Sequence, residues 1–274
     1  MIREFGTDGY YYDGAMFSGD CRNTAHGCGW IDRDGNLRDS FPLRKIHRHG
    51  KRLYQILMSR QADGLIFNHY SGNLMPLAGA WSHRLLLGEE YMIHQPGFQV
   101  DLPDFRAKFY GRQFGAPVEF LVYLDNPFQF REGLAYTLLH DINYSAYTLP
   151  ALEGLVPVWR IFDRMNCENA EWLPYWHNRR QVRLSPQDPR IVCSLYLNAG
   201  ESALAVVGNL TDEPQSVSVE IDPALLQFPG NTFSAAEMEW RRDLPVNDGK
   251  ITIDIPVRDV RLIGITPGRT LPVK

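Results

Sequence analysis

The sequence predicts an α/β unit built on a parallel sheet, followed by a small antiparallel β-sandwich. Two observations carry that expectation. Up to about residue 186, short continuous apolar runs alternate with amphipathic helical stretches, the pattern of parallel strands buried on both faces. From Ile191 onward the pattern changes. Ile191, Cys193, Leu195 and Leu197 occupy alternate positions, as do Val217, Val219 and Ile221 and then Ile251, Ile253 and Ile255. Period two with turns such as Asn247-Asp248-Gly249 is the signature of antiparallel strands. A proline-containing break from Ser185 to Pro189 sets the expected boundary near residue 187, dividing 1–186 from 187–274.

The elements follow in order. Tyr10-Tyr11-Tyr12 favours an extended strand, since bulky aromatics pack well on a pleated surface, and Asp13-Gly14 closes it. The polar segment Ala15 to Asp39 holds Asp20, Arg22, Asn23, His26 and Trp30. A connection of that length in a compact domain tends to be functional, and two cysteines with a tryptophan argue that it is ordered. A helix then starts with Ser40 as its expected N-cap and Pro42 in the first turn. Leu43, Ile46, Leu53 and Leu57 share one face, and Arg44, Lys45, Arg48, Lys51 and Arg52 form a solvated face opposite. Gly64 to His69 reads as a buried strand ending in Asn68-His69, and residues 77–84 as a short helical piece with Trp81 and His83. Leu85 to Tyr91 reads as a strand ending in Glu89-Glu90. Phe105 to Gly111 reads as helix, Val118 to Leu124 as strand and Glu132 to His140 as helix. Further helices are expected from about Pro157 and over Glu171 to Trp176.

Three strand ends therefore carry polar residues: Asp13, Asn68-His69 and Glu89-Glu90. In parallel α/β folds the carboxyl ends of the strands are where loops gather and chemistry is placed.

Composition narrows the classes. A net charge of -4 and a pI near 6.1 leave no basic footprint for nucleic acid. No apolar run approaches the roughly 18–20 residues of a membrane span, and Met1 to Phe5 lacks the apolar core of a signal peptide. An aromatic content of 12% suits stacking on sugar rings as well as a well-filled core. Cys21 and Cys28 with His26 between them form half a metal pattern, but no second closely spaced Cys/His pair follows. The sequence expectation is thus no metal and no cofactor, with a Cys21–Cys28 disulfide as the alternative in an exported protein. A metal-dependent hydrolase using His26, His69 and His94 competes weakly, because no HExxH pair is present.

Thr7-Asp8-Gly9-Tyr10-Tyr11-Tyr12-Asp13-Gly14, His26-Gly27-Cys28-Gly29-Trp30, Lys51-Arg52-Leu53-Tyr54 and Leu87-Gly88-Glu89-Glu90-Tyr91 together resemble the carboxyl-terminal half of a (β/α)8-barrel glycoside hydrolase-like family. The resemblance spans residues 6–125. It implies a partial (β/α)8, TIM-like barrel, incomplete at its amino-terminal side, with the missing strands absent or supplied by another chain. It also implies that Asp13 and Glu89 flank a scissile glycosidic bond, with Glu90 as the alternate acid. Asp13 is expected as nucleophile or base. Glu89 is expected as the acid, raised in pKa by its apolar predecessors Leu85 to Leu87. Tyr12, Arg22, His26, Asn68, His69, Trp81 and His94 are the candidate contacts to a carbohydrate substrate. A non-catalytic carbohydrate-binding fragment is the competing expectation.

Overall fold

The computed structural model describes residues 4, 6–13, 20–70, 76–89, 91, 100–109, 116–122, 130–146 and 148–268. Five strands form a parallel sheet: β1 (Gly9–Tyr12), β4 (Leu65–His69), β5 (Arg84–Leu87), β6 (Val118–Val122) and β7 (Asn143–Ala146). They lie side by side in chain order, each parallel to the next. Between β1 and β4 come a small hairpin, β2 (Trp30–Ile31) with β3 (Leu37–Arg38), and helix α1 (Leu43–Met58). Helices α2 (Pro76–Gly79), α3 (Leu102–Lys108) and α4 (Phe130–Leu139) make the remaining crossovers, and α5 (Leu149–Arg164) follows β7. Strand and helix alternate as in a partial (β/α)8 barrel.

The two faces of this sheet differ. Leu85, Leu87, Val118 and Phe120 point to the helical layer and join a core with Phe105, Phe109, Leu134, Leu139, Leu155 and Val158. The opposite face carries the other parity: Tyr11, Phe67, His69, Leu86, Glu119 and Leu121. At the β1–β4 edge this face is open, with Leu65 62% and Tyr11 51% exposed. The two-sided burial expected from the apolar runs therefore does not extend to that edge.

The second unit is a sandwich. A six-stranded antiparallel sheet has the order β14-β13-β16-β11-β10-β8, built from β8 (Glu171–Leu173), β10 (Ile191–Asn198), β11 (Ser202–Asn209), β13 (Phe233–Glu237), β14 (Arg242–Leu244) and β16 (Asp259–Pro267). A three-stranded sheet, β15-β12-β9, uses β9 (Val182–Ser185), β12 (Gln215–Ile221) and β15 (Lys250–Ile255). Ile191, Cys193, Leu195 and Leu197 fill the space between the sheets with Val217, Val219, Ile251 and Ile253. The intervening Val192 and Tyr196 pack instead into the helical core. Ser194 donates from Oγ to the Leu139 carbonyl at the end of α4 at 2.8 Å. The large sheet is thus covered on both faces, by the small sheet and by α4. No helix among the described residues is long and apolar enough to cross a membrane.

Three local expectations are corrected. Ser40 does not cap α1: Pro42 holds the N-cap position without a side-chain bond, because the Ser40 hydroxyl accepts the Gly29 N–H at 2.9 Å. Helix α5 begins well before Pro157, with Thr148 Oγ accepting the Ala151 N–H at 3.3 Å and Pro150 in its first turn, where a missing N–H costs nothing. Glu171 to Leu173 is a strand paired antiparallel to β10, and Pro174, which cannot continue a helix, follows it. Since β8 and β9 already belong to the antiparallel sheets, we propose dividing the units after Ala170 rather than at 187.

Candidate functional site at the rim of the parallel sheet

Asp13 follows β1, His69 ends β4 and Glu89 follows β5, so three neighbouring strands deliver their carboxyl ends to one place. Side chains alternate across a strand, so Asp13 continues the parity of Tyr11. The Tyr11 phenol is 2.6 Å from His69 Nδ1, and its ring makes an edge contact with Phe67 at 5.6 Å. Asp13 Oδ1 lies 3.3 Å from the same Nδ1. Glu89 Oε2 lies 3.1 Å from Nε2, on the other side of the imidazole. The ring is buried, with 6% of its side chain exposed, against 42% for Glu89 and 73% for Asp13. A fixed imidazole thus separates two carboxylates that solvent and a ligand can reach. Gly88 makes the turn into Glu89 with φ +117, and a Cβ there would sit 2.6 Å from Phe120 Cδ2 and 2.8 Å from the Leu121 carbonyl.

The expected burial of Glu89 is only partial. Leu85 to Leu87 are buried, but the chain turns outward at Gly88 and lifts the carboxylate to the surface. Asp13 and Glu89 also meet opposite nitrogens of His69, so they do not converge on one point as ligands of a single ion would.

Several expected substrate contacts are placed elsewhere. Tyr12 has the opposite parity to Asp13, so its hydroxyl meets His49 Nε2 of α1 at 2.7 Å. Burial first, and then the neighbouring Tyr10, push its phenol pKa up and keep it a neutral partner. Asn68 is paired in register with Tyr12 and turns the same way. Its Nδ2 donates to Ser82 Oγ at 3.1 Å, while its buried Oδ1 has no hydrogen-bond partner. Trp81 packs on α1 against Tyr54, ring centroids 5.4 Å apart, under Lys51. Arg22 pairs with Asp39 within its own loop. His26 meets Lys45 Nζ at 2.9 Å rather than Asp13. His94 and Glu90 lie outside the described residues. Tyr11 is the contributor the sequence reading passed over, and the alternation rule applied from Asp13 selects it over Tyr12.

No family model matches the chain, and no curated protein matches it. Solved structures do. An α-amylase from Anoxybacillus superposes with a TM-score of 0.54 at 10% identity, covering 82% of this chain and 57% of that one. α-Galactosidase I from Mortierella vinacea gives 0.54 at 12% identity, covering 84% and 65%. An α-amylase from Geobacillus thermoleovorans, solved with acarbose, gives 0.55 at 10% identity, covering 98% and 62%. What they share with it is the fold. The chain spans between about half and two thirds of the length of these proteins, all of them glycoside hydrolases by their descriptions.

Proposed function

We propose that this chain carries the catalytic rim of a glycoside hydrolase acting on an oligo- or polysaccharide, with Glu89 as general acid and Asp13 as general base. The observation that supports the reading is the placement of both carboxylates against opposite nitrogens of His69. Glycoside hydrolysis needs one carboxyl to protonate the leaving oxygen and a second to attack or to activate water. Glu89 is the less exposed of the two, which suits the group that must hold a proton. Asp13, in open solvent, suits the group that must give up its proton and draw one from water.

The two carboxylate oxygens stand on opposite sides of one imidazole, an arrangement that suits the wider carboxylate spacing of roughly 6.5–9.5 Å that leaves room for a water. We infer an inverting reaction on that basis. His69 acts as a positioning residue that sets the gap and screens the two charges from each other. The exposed Tyr11 ring, beside Phe67, offers a flat apolar surface of the kind that sugar rings stack on.

The test is hydrolysis of a panel of aryl glycosides and oligosaccharides, with the anomer of the first product followed by proton NMR. Inversion is expected, and Asp13→Asn and Glu89→Gln should each abolish turnover with the melting temperature unchanged. Retention of configuration overturns the inverting mechanism, and unimpaired turnover by either variant overturns the assignment. The second reading, a non-catalytic carbohydrate-binding unit, draws on the count of five parallel strands among the described residues, where a closed barrel needs eight. Saturable sugar binding without turnover in the wild-type protein is its signature.

A further inference from the structure

The loop between β1 and α1 brings three metal-ligating side chains together in a cluster that does not include the carboxylate pair. Ligand atoms of Cys21, His26 and Cys28 all lie within 4.8 Å of one another. Cys21 Sγ is 3.6 Å from His26 Nε2. Tetrahedral zinc, with bonds of about 2.3 Å to sulfur and about 2.0–2.1 Å to nitrogen, sets sulfur and nitrogen ligands roughly 3.5 Å apart. Both thiols are free.

The backbone is arranged to hold them. Asn23 caps a short 3-10 turn, Thr24–His26, its side chain accepting the Ala25 N–H. The Cys28 N–H returns to the Asn23 carbonyl at 3.1 Å. Gly27 and Gly29 on either side of Cys28 have φ of +74 and +77, and a Cβ on Gly29 would come within 2.8 Å of the Arg22 carbonyl. Only glycine takes both demands, left-handed backbone and close approach, without strain. Cys21 is fixed from the other side by its two-way backbone bridge to Ser40, 3.1 Å in each direction. From α1, the Lys45 ammonium reaches the His26 carbonyl at 2.9 Å and Cys28 Sγ at 3.4 Å. A cation already sits against the acceptor atoms of the cluster.

We propose that Cys21, His26 and Cys28 form a zinc(II) site, with water as the fourth ligand, that staples the β1–α1 loop at the rim of the sheet. Sulfur and imidazole donors in a tetrahedral set select zinc, since iron–sulfur clusters call for more thiolates. Cys28 is buried while His26 is exposed, so the water position faces solvent. Binding takes the proton from each of the two thiols and releases both to solvent, leaving a neutral Zn(Cys)2(His) centre. Coordination through Nε2 puts the imidazole proton on Nδ1, so the Lys45–Nδ1 contact lengthens while the His26 carbonyl and the Cys28 sulfur keep the ammonium. The site is independent of the proposed hydrolase activity.

The experiment uses the full chain, stripped of metal by a chelator and kept under a thiol-free reductant. Titration with cobalt(II), then with zinc(II) against a chromophoric chelator, is expected to give one equivalent per chain. Cobalt should show thiolate-to-metal charge transfer and the visible bands of a tetrahedral centre. Cys21→Ser and Cys28→Ser should each weaken binding by more than the roughly 10–100-fold that changes outside the ligand sphere cost. A readout on the wild-type protein guards against variants that misfold: zinc should protect Cys21 and Cys28 from alkylation, mapped by peptide mass, without altering Cys167 or Cys193. Absence of stoichiometric uptake by the folded, reduced protein overturns the site. So does uptake unchanged in both variants, or alkylation of Cys21 and Cys28 at the same rate with and without zinc.

Discussion

The Tyr11 hydroxyl lies 2.6 Å from His69 Nδ1, on the side of the ring that also meets Asp13. When that hydroxyl donates, Nδ1 is the acceptor and Nε2 carries the proton toward Glu89, so a residue of β1 sets which face of the imidazole is a donor. We predict that Tyr11→Phe lowers kcat by about 2–10-fold, the worth of one hydrogen bond of roughly 0.5–1.5 kcal/mol, with KM nearly unchanged. A large rise in KM with kcat unchanged would instead assign the Tyr11 hydroxyl to substrate binding.

Gly88 places Glu89. Alanine there must adopt φ near +117 and push against Phe120 and the Leu121 carbonyl. Backbone strain of this kind costs about 1–3 kcal/mol. The expected result for Gly88→Ala is a lower melting temperature together with lost turnover at temperatures where the protein is still folded. Full activity in the folded variant would show that Glu89 does not depend on this turn.

Arg131 ties α4 to the sandwich. Its guanidinium donates to Glu239 Oε1 at 2.6 Å, to Asp259 Oδ1 at 2.6 Å and to the Val260 carbonyl at 2.7 Å. Burial alone would raise the Asp259 carboxyl pKa; Arg131, the Val260 N–H and Arg261 outweigh it and hold the pKa below the ordinary range. Arg131→Met leaves two poorly exposed carboxylates without this partner. We expect a loss near the low end for broken buried pairs, about 3 kcal/mol, read from the denaturant midpoint at pH 7. The loss should shrink as acid protonates both carboxylates. A cost under 0.5 kcal/mol would place the network among ordinary surface pairs.

His140 gives the fold a pH dependence. Its Nδ1–H donates to the Tyr136 carbonyl at 2.7 Å and Nε2 faces the Tyr175 hydroxyl at 3.3 Å. Burial lowers its pKa to about 4. The unfolded chain binds a proton there near pH 6.5 and the folded one does not, so stability is complete above that value and falls as pH drops toward 4. The full loss is of order 3 kcal/mol. His140→Gln should flatten that part of the stability–pH curve. A wild-type curve with no slope between pH 6.5 and 4 would overturn the assignment.

Much of the architecture was legible because periodicity reports burial. The change of period near Ile191 marked the antiparallel unit, and the polar ends of three apolar runs marked the rim where Asp13, His69 and Glu89 meet. What escaped lay at a finer grain. Tyr12 and Asn68 have side chains suited to a sugar, but strand alternation turns them toward the helical layer and leaves Tyr11 and His69 on the opposite face. Ser40 had the chemistry of an N-cap, but a long-range backbone donor, Gly29, claimed its hydroxyl. Only the folded loop brings Lys45 onto Cys28, because that contact joins an irregular segment to a helix.

Helix α4 is buried from Glu132 to Leu139, with the parallel sheet on one side and β10, β11 and β16 on the other. One apolar cluster therefore joins the helical layer to the outer face of the large sheet, while a second lies between the two sheets. Although the sandwich has its own inner core, separating it would leave Val192, Tyr196, Leu204, Val206, Val260 and Leu262 facing water. The chain should consequently melt in a single calorimetric transition, and damage to the sandwich should be felt at the rim as a loss of the whole folded state rather than as a local loosening.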